Sequence, residues 1–338
     1  MVGQRMIQLL EHHPWFEVSV VAASDRSAGK RYADAASWIL DVAIPETVAK
    51  MTVQPCQPGL DCDFVLSGLP TEVAEETELQ FAKAGKPVIS NASSHRMKAD
   101  VPLLVPEINP HHLDALQVQK QRIGSRGCIV TNPNCSVIGL VFPMLALQRQ
   151  FGLEAVHVVT MQALSGAGYP GVQSLDIIDN VIPGIGMGGE DRKIETEPLK
   201  ILGEWRDGKF VNAPTRMSAM THRVNVRDGH LEALSVKLAT QASRDDVENA
   251  MRNFKSPIDE LQLPSAPRPV MILEPHIERP QPRRDRDRGQ GMAIVVGPVA
   301  PCGVLDYKFR ILSHNTIRGA AGAAILNAEL MYRKGLLG

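Results

Sequence analysis

The chain has 338 residues, of which 44% are hydrophobic and 22% charged, and its net charge is −1. This composition is typical of a globular protein and gives no reason to expect a nucleic-acid or anionic-membrane partner. The length favours two domains. Because the five cysteines do not suggest a disulfide framework, no Cys/His group has zinc spacing and no apolar run approaches about 20 residues, we expect a cytoplasmic protein without a metal or a membrane partner.

The N-terminal third alternates between strand and helix patterns. Apolar, β-branched runs at Glu17–Ala23, Asp63–Ser67 and Pro87–Ser90 predict strands, and Glu72–Ala84 predicts a helix that ends at Gly85. This rhythm indicates βαβ units in a parallel sheet, as in a Rossmann-type, doubly wound dinucleotide-binding domain. Ligands of such a sheet bind at the carboxyl ends of its strands.

The start of the sequence is unusual for such a domain. Residues 2–12 read as a helix, whereas a Rossmann unit has a strand and a glycine-rich turn before its first helix. Gly3 is the one residue that could be the last glycine of that turn. We therefore expect that the sequence as given lacks the first strand.

Residues 131–136 (TNPNCS) place Cys135 where a strand passes into a helix. Residues 128–131 read as a buried strand, and 137–150 as an apolar helix with Pro143 inside it. A thiol at a helix N-terminus is favoured as the thiolate, and free N–H groups there can hold an oxyanion. The alternative is a buried structural cysteine. The two asparagines beside an apolar strand favour a nucleophile.

The region from Pro133 to Cys302 has longer, alternating strands, for which we expect a mostly antiparallel sheet that can pack between subunits. The strands are predicted at 154–161, 231–239 and 293–299. The charged, proline-rich stretch 279–291 is expected to be an exposed loop. A helix over 315–330 is expected to return to the first domain. The predicted domains are thus 1–132 with 303–338 for dinucleotide binding, and 133–302 for catalysis and dimerisation.

Several motifs together resemble aspartate-β-semialdehyde dehydrogenases of the archaeal and fungal branch. They occur in the family's order over nearly the whole chain: 24–30 (SDRSAGK), 90–97 (SNASSHRM), 131–136 (TNPNCS), 162–171 (QALSGAGYPG), 223–230 (RVNVRDGH) and 315–321 (NTIRGAA). The resemblance implies an NADP-dependent enzyme that interconverts 4-aspartyl phosphate and the semialdehyde plus phosphate through a cysteine thioester. The step feeds lysine, threonine and methionine synthesis. It also implies a homodimer or homotetramer.

The resemblance assigns the catalytic roles. Cys135 is the nucleophile, Asn134 and the Cys135 backbone N–H hold the oxyanion, and Gln162 positions the substrate. His230 lies on the inward face of a predicted strand, so the residues alone allow either a core histidine or a base. The resemblance makes His230 the base and leaves His222 as its rival.

Four charged residues are expected to hold the substrate. By resemblance, Arg223 binds its carboxylate, where a planar fork gives bidentate geometry, and Arg96 and Lys200 bind phosphate. Glu197 is expected to bind the ammonium group. Glu197 and Lys200 are three residues apart on a helix predicted at 195–202, and the alternative is a surface ion pair.

The cofactor is expected to be NADP. Ser24, Arg26 and Ser27 follow the predicted strand 17–23, and hydroxyls with an arginine suit a 2′-phosphate, although Asp25 could serve the ribose of NAD. The remaining expected cofactor contacts are Gly3, Ser67, Gly68, Ser165, Gly166 and Asn315.

Two other functions compete with this one. A malonyl-CoA reductase of the same fold would keep the thioester chemistry, but malonyl-CoA has no ammonium group to pair with Glu197. A non-catalytic, dimer-forming remnant would fit the missing strand, but Cys135, Gln162 and His230 are all present. We therefore expect the semialdehyde dehydrogenase activity.

Overall fold

The first part of the chain builds small parallel sheets flanked by helices, as the alternating pattern predicts. The computed structural model describes residues 1–337. The elements of this part are helices α1 (Val2–Leu10), α2 (Tyr32–Ala35), α3 (Glu46–Ala49), α4 (Thr71–Lys83) and α5 (Ala115–Ile123), and strands β1 (Ala22–Ala23), β2 (Gln54–Pro55), β3 (Val65–Ser67), β4 (Pro87–Ser90) and β5 (Cys128–Thr131).

Strands β3, β4 and β5 pair in parallel, and their carboxyl ends are in register at Ser67, Ser90 and Thr131. Every residue of β4 and β5 is buried, which explains why both are continuously apolar rather than alternating. Strand β1 pairs only with β2, in a separate parallel sheet. Of the predicted strand Glu17–Ala23, only the last two residues pair with another strand. The apolar pattern does not set the paired length, because a strand also needs a neighbouring strand to hydrogen-bond with.

The second part of the chain contains the longer elements. Its helices are α6 (Val137–Phe151), α7 (Ser174–Ile177), α8 (Gly189–Ile201), α9 (Arg244–Arg252), α10 (Pro282–Asp285) and α11 (Gly322–Arg333), the last preceded by a π-helical turn at Ile317–Ala321. Its strands are β6 (Leu153–Gln162), β7 (Ile182–Pro183), β8 (Glu204–Arg206), β9 (Lys209–Val211), β10 (Arg216–Arg223), β11 (His230–Leu238), β12 (Met271–Leu273), β13 (Ile294–Val296), β14 (Ala300–Pro301) and β15 (Tyr307–Ser313).

An eight-stranded sheet dominates this part, in the order β12-β13-β15-β11-β6-β10-β7, with β14 paired to β15. Only β12–β13 and β6–β10 are parallel, which confirms the predicted mostly antiparallel sheet. Strand β11 alternates between buried and half-buried residues, and His230 is on the buried face with Leu234 and Val236. The apolar helix α6 packs against this face and completes the larger core.

Two expectations about this part need correction. The second domain was expected to end before residue 303. Strand β15 (Tyr307–Ser313) lies beyond that residue but pairs with β11 and β13 inside the large sheet. The stretch 279–291 is only partly exposed, since Asp285 is buried and accepts hydrogen bonds from Arg279 and from the backbone of Gln281. None of the helices within residues 1–337 is long and apolar enough to cross a membrane.

Candidate active site

Cys135 lies at the carboxyl end of β5, just before helix α6, in a turn that the neighbouring asparagines hold in place. Asn132 Nδ2 donates to Asn91 Oδ1 after β4 (2.8 Å) and to the Ala320 carbonyl in the π-helical turn (2.9 Å). Asn134 Oδ1 accepts from the backbone N–H two residues further on, at the helix N-cap (2.9 Å). Both amides are therefore structural supports of the cysteine turn.

His230, at the start of β11, is the histidine that reaches the thiol. Its Nε2 lies 3.2 Å from Cys135 Sγ. The rival His222 sits on β10 next to Arg223, and successive side chains of a strand point to opposite faces. The predicted pairing of Cys135 with His230 is therefore present in the structure.

The other ring nitrogen of His230 fixes its tautomer. The Ala163 backbone N–H donates to His230 Nδ1 (3.0 Å), so the proton of the neutral ring is on Nε2, facing Cys135 Sγ. Burial first, and then the charge of Arg223, hold the pKa of His230 well below its usual value, so the ring is neutral. Uptake of a proton would place an N–H on Nδ1 against the Ala163 N–H. The resting geometry thus favours hydrogen-bond donation to sulfur over the expected role as a base.

The surroundings of Cys135 in the ligand-free protein disfavour its thiolate form. Burial first, and then the charge of Glu190, raise the pKa of Cys135 to about 12, while Arg223 and Arg96 oppose the rise. These causes oppose the thiolate that a helix N-terminus was expected to favour, because desolvation acts against the helix dipole. Ligands that alter these surrounding charges will alter the ionisation of the thiol.

Arg223 and Gln162 end two adjacent strands at the same level, since β10 and β6 pair in parallel with these two residues in register. Arg223 Nη1 donates to the Ala163 carbonyl (2.7 Å), and the residue is buried. Gln162 Oε1 is buried and has no protein partner among the residues described. Both side chains therefore keep hydrogen-bonding capacity for a ligand.

Gly166 packs closely against the side chains of Arg223 and His230. A Cβ at this position would lie 2.8 Å from Arg223 Nη1 and 3.0 Å from His230 Cε1. Only glycine lets the loop approach the two side chains this closely, which makes the loop part of the wall of the site.

Glu190 and Lys193, in the first turns of α8, are charged residues beside the cysteine turn that the sequence analysis did not single out. Glu190 Oε1 accepts from Asn134 Nδ2 (2.6 Å), and Glu190 Oε2 lies 3.2 Å from Lys193 Nζ. Their side chains are 12% and 41% exposed, so a small ligand can reach them. The sequence feature that could have identified them is a second Glu-x-x-Lys pattern, which begins seven residues before Glu197 and lies on the same face of the helix.

Glu197 and Lys200 are both buried, at 2% and 3% exposure, so the alternative of a surface ion pair is wrong. Glu197 accepts from Arg96 Nη1 (3.0 Å) and from the Asn134 backbone N–H (2.6 Å). Lys200 Nζ donates to three backbone carbonyls of the loop after β4, at 2.7–2.8 Å. Because an ammonium group has three N–H bonds, none is left for phosphate, and the expected phosphate contact of Lys200 is not supported.

Glu232 is a further buried carboxyl group, on the same face of β11 as His230. Burial raises its pKa well above the usual carboxyl range. The burial of this carboxyl group therefore favours its neutral form.

The expected cofactor residues lie at strand ends. Ser24 and Arg26 are exposed and Ser27 is half-exposed, in a turn closed by a Ser27 N–H to Ser24 carbonyl bond (2.9 Å). Gly68 follows β3 and adjoins Gly3, where a Cβ added to Gly68 would lie 3.6 Å from the Gly3 nitrogen. The chain therefore offers exposed hydroxyls, an arginine and side-chain-free backbone, the groups that suit a dinucleotide phosphate.

The three other expected cofactor residues are engaged within the protein. The Ser67 hydroxyl donates to Glu78 Oε1 (2.6 Å) and is buried. Asn315 Nδ2 donates to Ser165 Oγ (2.7 Å), and Asn315 Oδ1 accepts from the Gly229 N–H (2.8 Å). Asn315 and Ser165 thus brace the loops next to His230.

The chain matches two family models. Residues 1–116 match "Semialdehyde dehydrogenase, NAD binding domain", and residues 144–318 match "Semialdehyde dehydrogenase, dimerisation domain". The aspartate-semialdehyde dehydrogenase of Archaeoglobus fulgidus is 48% identical over 338 residues, covering 100% of this chain and 96% of the relative. That of Schizosaccharomyces pombe is 45% identical over 345 residues, covering 99% of this chain and 96% of the relative.

Solved structures agree with these matches. The crystal structure of aspartate semialdehyde dehydrogenase with NADP from Candida albicans superposes with a TM-score of 0.91 at 42% identity, covering 99% of this chain and 96% of that one. Aspartate semialdehyde dehydrogenase II of Vibrio cholerae, complexed with ASA, has a TM-score of 0.75 at 25% identity, covering 98% and 95%. The similarity therefore spans both parts of the fold.

Proposed function

This chain belongs to the aspartate-semialdehyde dehydrogenase family, and we propose that it interconverts L-aspartate 4-semialdehyde plus phosphate with 4-aspartyl phosphate, using NADP. The observation that carries the proposal is the contact of Cys135 Sγ with His230 Nε2 at 3.2 Å, beside Arg223. A thiol, a hydrogen-bond donor and a carboxylate clamp are the groups that thioester chemistry on an amino acid requires. The semialdehyde, which is the product of the reductive direction, supplies lysine, threonine and methionine biosynthesis.

In the oxidative direction, the Cys135 thiol gives its proton to solvent water, and the thiolate Sγ bonds to the aldehyde carbon as the C=O π bond breaks. The carbonyl oxygen becomes an alkoxide, which His230 Nε2–H, Asn134 and the Cys135 backbone N–H stabilise by hydrogen bonds. After oxidation of this adduct to a thioester, a phosphate oxygen bonds to the acyl carbon and the C–S bond breaks. Cys135 leaves as a thiolate, ready for the next substrate.

The substrate is oriented by charges around this centre. Arg223 takes the α-carboxylate, and the half-buried Glu190 carboxylate pairs with the ammonium group. Arg96 and the accessible Lys193 attract phosphate. Gln162, with its free Oε1, positions the reacting end of the substrate. Arg96, Glu190 and Arg223 all influence the ionisation of Cys135, which supports their closeness to the reacting sulfur.

NADP, when bound, supplies the oxidant that converts the adduct on Cys135 into the thioester. Arg26 with Ser24 and Ser27 would hold the 2′-phosphate, and the backbone around Gly3, Ser67 and Gly68 would face the pyrophosphate. Gly166, with the loop that Ser165 and Asn315 brace, would border the nicotinamide end. The fit rests on the exposed Arg26 and the side-chain-free contact of Gly3 with Gly68.

The protein is proposed to act as a homodimer, which could pair further into a tetramer. The second part of the chain matches a dimerisation domain. Large apolar side chains are exposed on and before β10 in this part: Leu175, Ile178, Val181, Met187 and Met220. Exposed apolar side chains in such number favour burial against another subunit. We place residues 1–132 and 314–337 with the cofactor, and 133–313 with catalysis and dimerisation. The cytoplasmic location stays a prediction.

Steady-state assays test the proposed reaction against malonyl-CoA reduction. We expect NADPH formation from aspartate 4-semialdehyde that requires phosphate, and little or no NADPH oxidation with malonyl-CoA. The relatives from Archaeoglobus fulgidus and Schizosaccharomyces pombe carry the aspartate-semialdehyde dehydrogenase name. The Glu190 carboxylate also offers an ammonium partner that malonyl-CoA would not use. Faster turnover of malonyl-CoA than of the semialdehyde would overturn the proposal.

A further inference from the structure

The π-helical turn Ile317–Ala321 packs directly against the nucleophile. A Cβ added to Gly319 would lie 2.8 Å from Cys135 Cβ and 3.0 Å from Cys135 Cα. The next residue of the turn, Ala320, accepts a hydrogen bond through its carbonyl from Asn132 Nδ2 (2.9 Å). The backbone of the turn thus approaches Cys135 with no side chain between them, so a shift of the turn is transmitted to the cysteine.

The chain just before the turn contacts the histidine side of the site. Asn315 Oδ1 accepts from the backbone N–H of Gly229 (2.8 Å), the residue that directly precedes His230. One short segment, 315–320, therefore touches the supports of both members of the catalytic pair. It connects the two ends of the 3.2 Å contact between Cys135 Sγ and His230 Nε2.

The backbone of the turn is wound more widely than an α-helix. The Gly319 N–H donates to the His314 carbonyl (3.0 Å), and the Ala321 N–H donates to the Thr316 carbonyl (3.1 Å), each five residues back. Such turns are rare and frequently occur at functional sites. Side chains that hold this turn in place therefore bear on the geometry of the site.

Arg318, within the turn, is the side chain that ties it to the rest of the core. It is fully buried, and its Nη1 and Nη2 donate to the two carboxylate oxygens of Glu107 at 2.7 and 3.0 Å. Its guanidinium carbon lies 4.6 Å from the centroid of the Phe142 ring. A planar fork on a carboxylate fixes orientation as well as distance, which a single ion contact does not.

The two partners of Arg318 lie on the elements that flank the nucleophile. The loop that carries Glu107 is hydrogen-bonded to the carbonyl of Thr131, at the end of β5 (2.9 Å). Phe142 lies on α6, which begins two residues after Cys135. Arg318 therefore joins the π-helical turn to the strand before the cysteine and to the helix after it.

We propose that Arg318 is a positioning residue: it holds the π-helical turn against Cys135 and so keeps the thiol at His230. Arg318 does not touch the substrate, because its side chain is fully buried and both Nη atoms donate to Glu107. The inference rests on the reaction proposed above, in which the cysteine and the histidine act together. The alternative is an ion pair that only stabilises the fold.

Three changes test the proposal. The double variant Arg318→Met/Glu107→Leu removes both charges, and replacement of a buried ion pair by apolar residues often costs little stability. Arg318→Lys keeps the charge but loses the fork. Gly319→Ala displaces the turn directly. Arg122→Met is the control, because it removes another arginine with two hydrogen bonds to one carboxylate, that of Asp100.

Two readouts separate positioning from folding. The first is kcat per active subunit, counted by the burst of NADPH formed without phosphate, together with the KM values for the semialdehyde, phosphate and NADP. The second is the nitrogen-15 resonance of His230 Nε2 in the ligand-free, histidine-labelled protein, assigned by its loss in His230→Gln. This resonance reports the contact with Cys135 Sγ and does not depend on turnover.

The double variant and Arg318→Lys should each lose at least about tenfold in kcat, because a small displacement of the nucleophile slows the covalent step steeply. Their KM values should be unchanged, and the His230 resonance should shift in both and in Gly319→Ala. Arg122→Met should leave kcat and the resonance unchanged. If the double variant does not fold, Arg318→Lys decides by the same two readouts.

An unchanged His230 resonance in the Arg318 variants, whatever the change in melting temperature, would make the ion pair purely structural and overturn the proposal. An unchanged kcat per active subunit would overturn it as well. The same holds if Gly319→Ala leaves the resonance unmoved, since the turn would then not set the position of the thiol. Shifted resonances in a protein that does not turn over the semialdehyde would refute the proposed reaction and not the positioning role.

Discussion

The catalytic pocket and the nucleotide-binding edge are built in opposite ways. In the pocket, Arg223, Glu197 and Lys200 are buried, and protein partners already bind much of their hydrogen-bonding capacity. At the edge, Ser24 and Arg26 are exposed in a short turn after a two-residue strand. The pocket is therefore organised by folding, whereas the edge gains most of its polar contacts only when the cofactor binds.

Substitutions in the pocket and at the edge should therefore affect different kinetic properties. Changes in the pocket remove preorganised interactions and should alter turnover or substrate affinity strongly. Changes at the edge remove one exposed contact and should alter cofactor affinity alone. The following substitutions test the contrast.

Replacement of the nucleophile should have the largest effect. Cys135→Ser should lower kcat by at least about a thousandfold, because a hydroxyl ionises far less than a thiol and the covalent step fails. NADP affinity, measured by fluorescence titration, and the oligomer should be unchanged. Activity of the serine variant above a few per cent would show that Cys135 is not the nucleophile.

Arg223→Lys should weaken substrate binding without affecting the cofactor. A point charge in place of a two-bond fork costs roughly 1.5–3 kcal/mol, or about 10- to 150-fold in the KM for the semialdehyde. Arg216→Lys, at the exposed start of the same strand, is the matched control. Equal KM values for the two variants would remove Arg223 from the substrate site.

Glu190→Gln should make the resting thiol more reactive. The pKa of Cys135 is raised, so its alkylation by iodoacetamide is slow at neutral pH and accelerates as the pH rises toward the pKa. Loss of the Glu190 charge should move this rise to lower pH and so speed alkylation at a fixed pH. Glu204→Gln, an exposed carboxyl on β8, is the control. A profile identical to that of the unmodified protein would contradict the assigned electrostatic coupling.

The same variant should lose affinity for the semialdehyde, because Glu190 is the proposed partner of its ammonium group. Binding of that cation next to Glu190 should then lower the pKa of Cys135 in the unmodified protein. Substrate would thus activate its own nucleophile.

Arg26→Ala should have the smallest effect. It should raise the KM for NADP by about three- to tenfold, since one exposed charge contact to the 2′-phosphate is lost, and leave the KM for the semialdehyde unchanged. Arg31→Ala, a nearby exposed arginine, is the control. A changed KM for the semialdehyde would break the separation between the two regions.

Local patterns were enough to predict many of the elements. The bounds of β4 and β5 are confirmed as predicted, because each is a short apolar run that ends at a polar residue. The sequence could not show that Ala22–Ala23 alone would pair in the predicted strand 17–23, or that 307–313 would join the large sheet. Both depend on neighbours that lie far away in the chain.

The site was predictable where the order of the motifs singles out one residue of a type. Cys135 and His230 are brought together as expected. The charged residues of α8 were not separable in this way, because Glu190 and Glu197 lie on the same face of the helix with the same partner spacing. Only burial and hydrogen bonding distinguish the accessible pair, Glu190 and Lys193, from the buried pair, Glu197 and Lys200. The tautomer of His230 likewise depends on the Ala163 N–H, which comes from another strand end.

A single-turnover experiment tests the central claim that Cys135 carries an acyl group between the aldehyde and phosphate. The enzyme is mixed with NADP and aspartate 4-semialdehyde in the absence of phosphate, and NADPH and the mass of the Cys135 peptide are followed. We predict a burst of one NADPH per subunit, an aspartyl adduct on Cys135, and its release when phosphate is added. Steady NADPH formation without phosphate and without an adduct, or an adduct on another residue, would contradict the account.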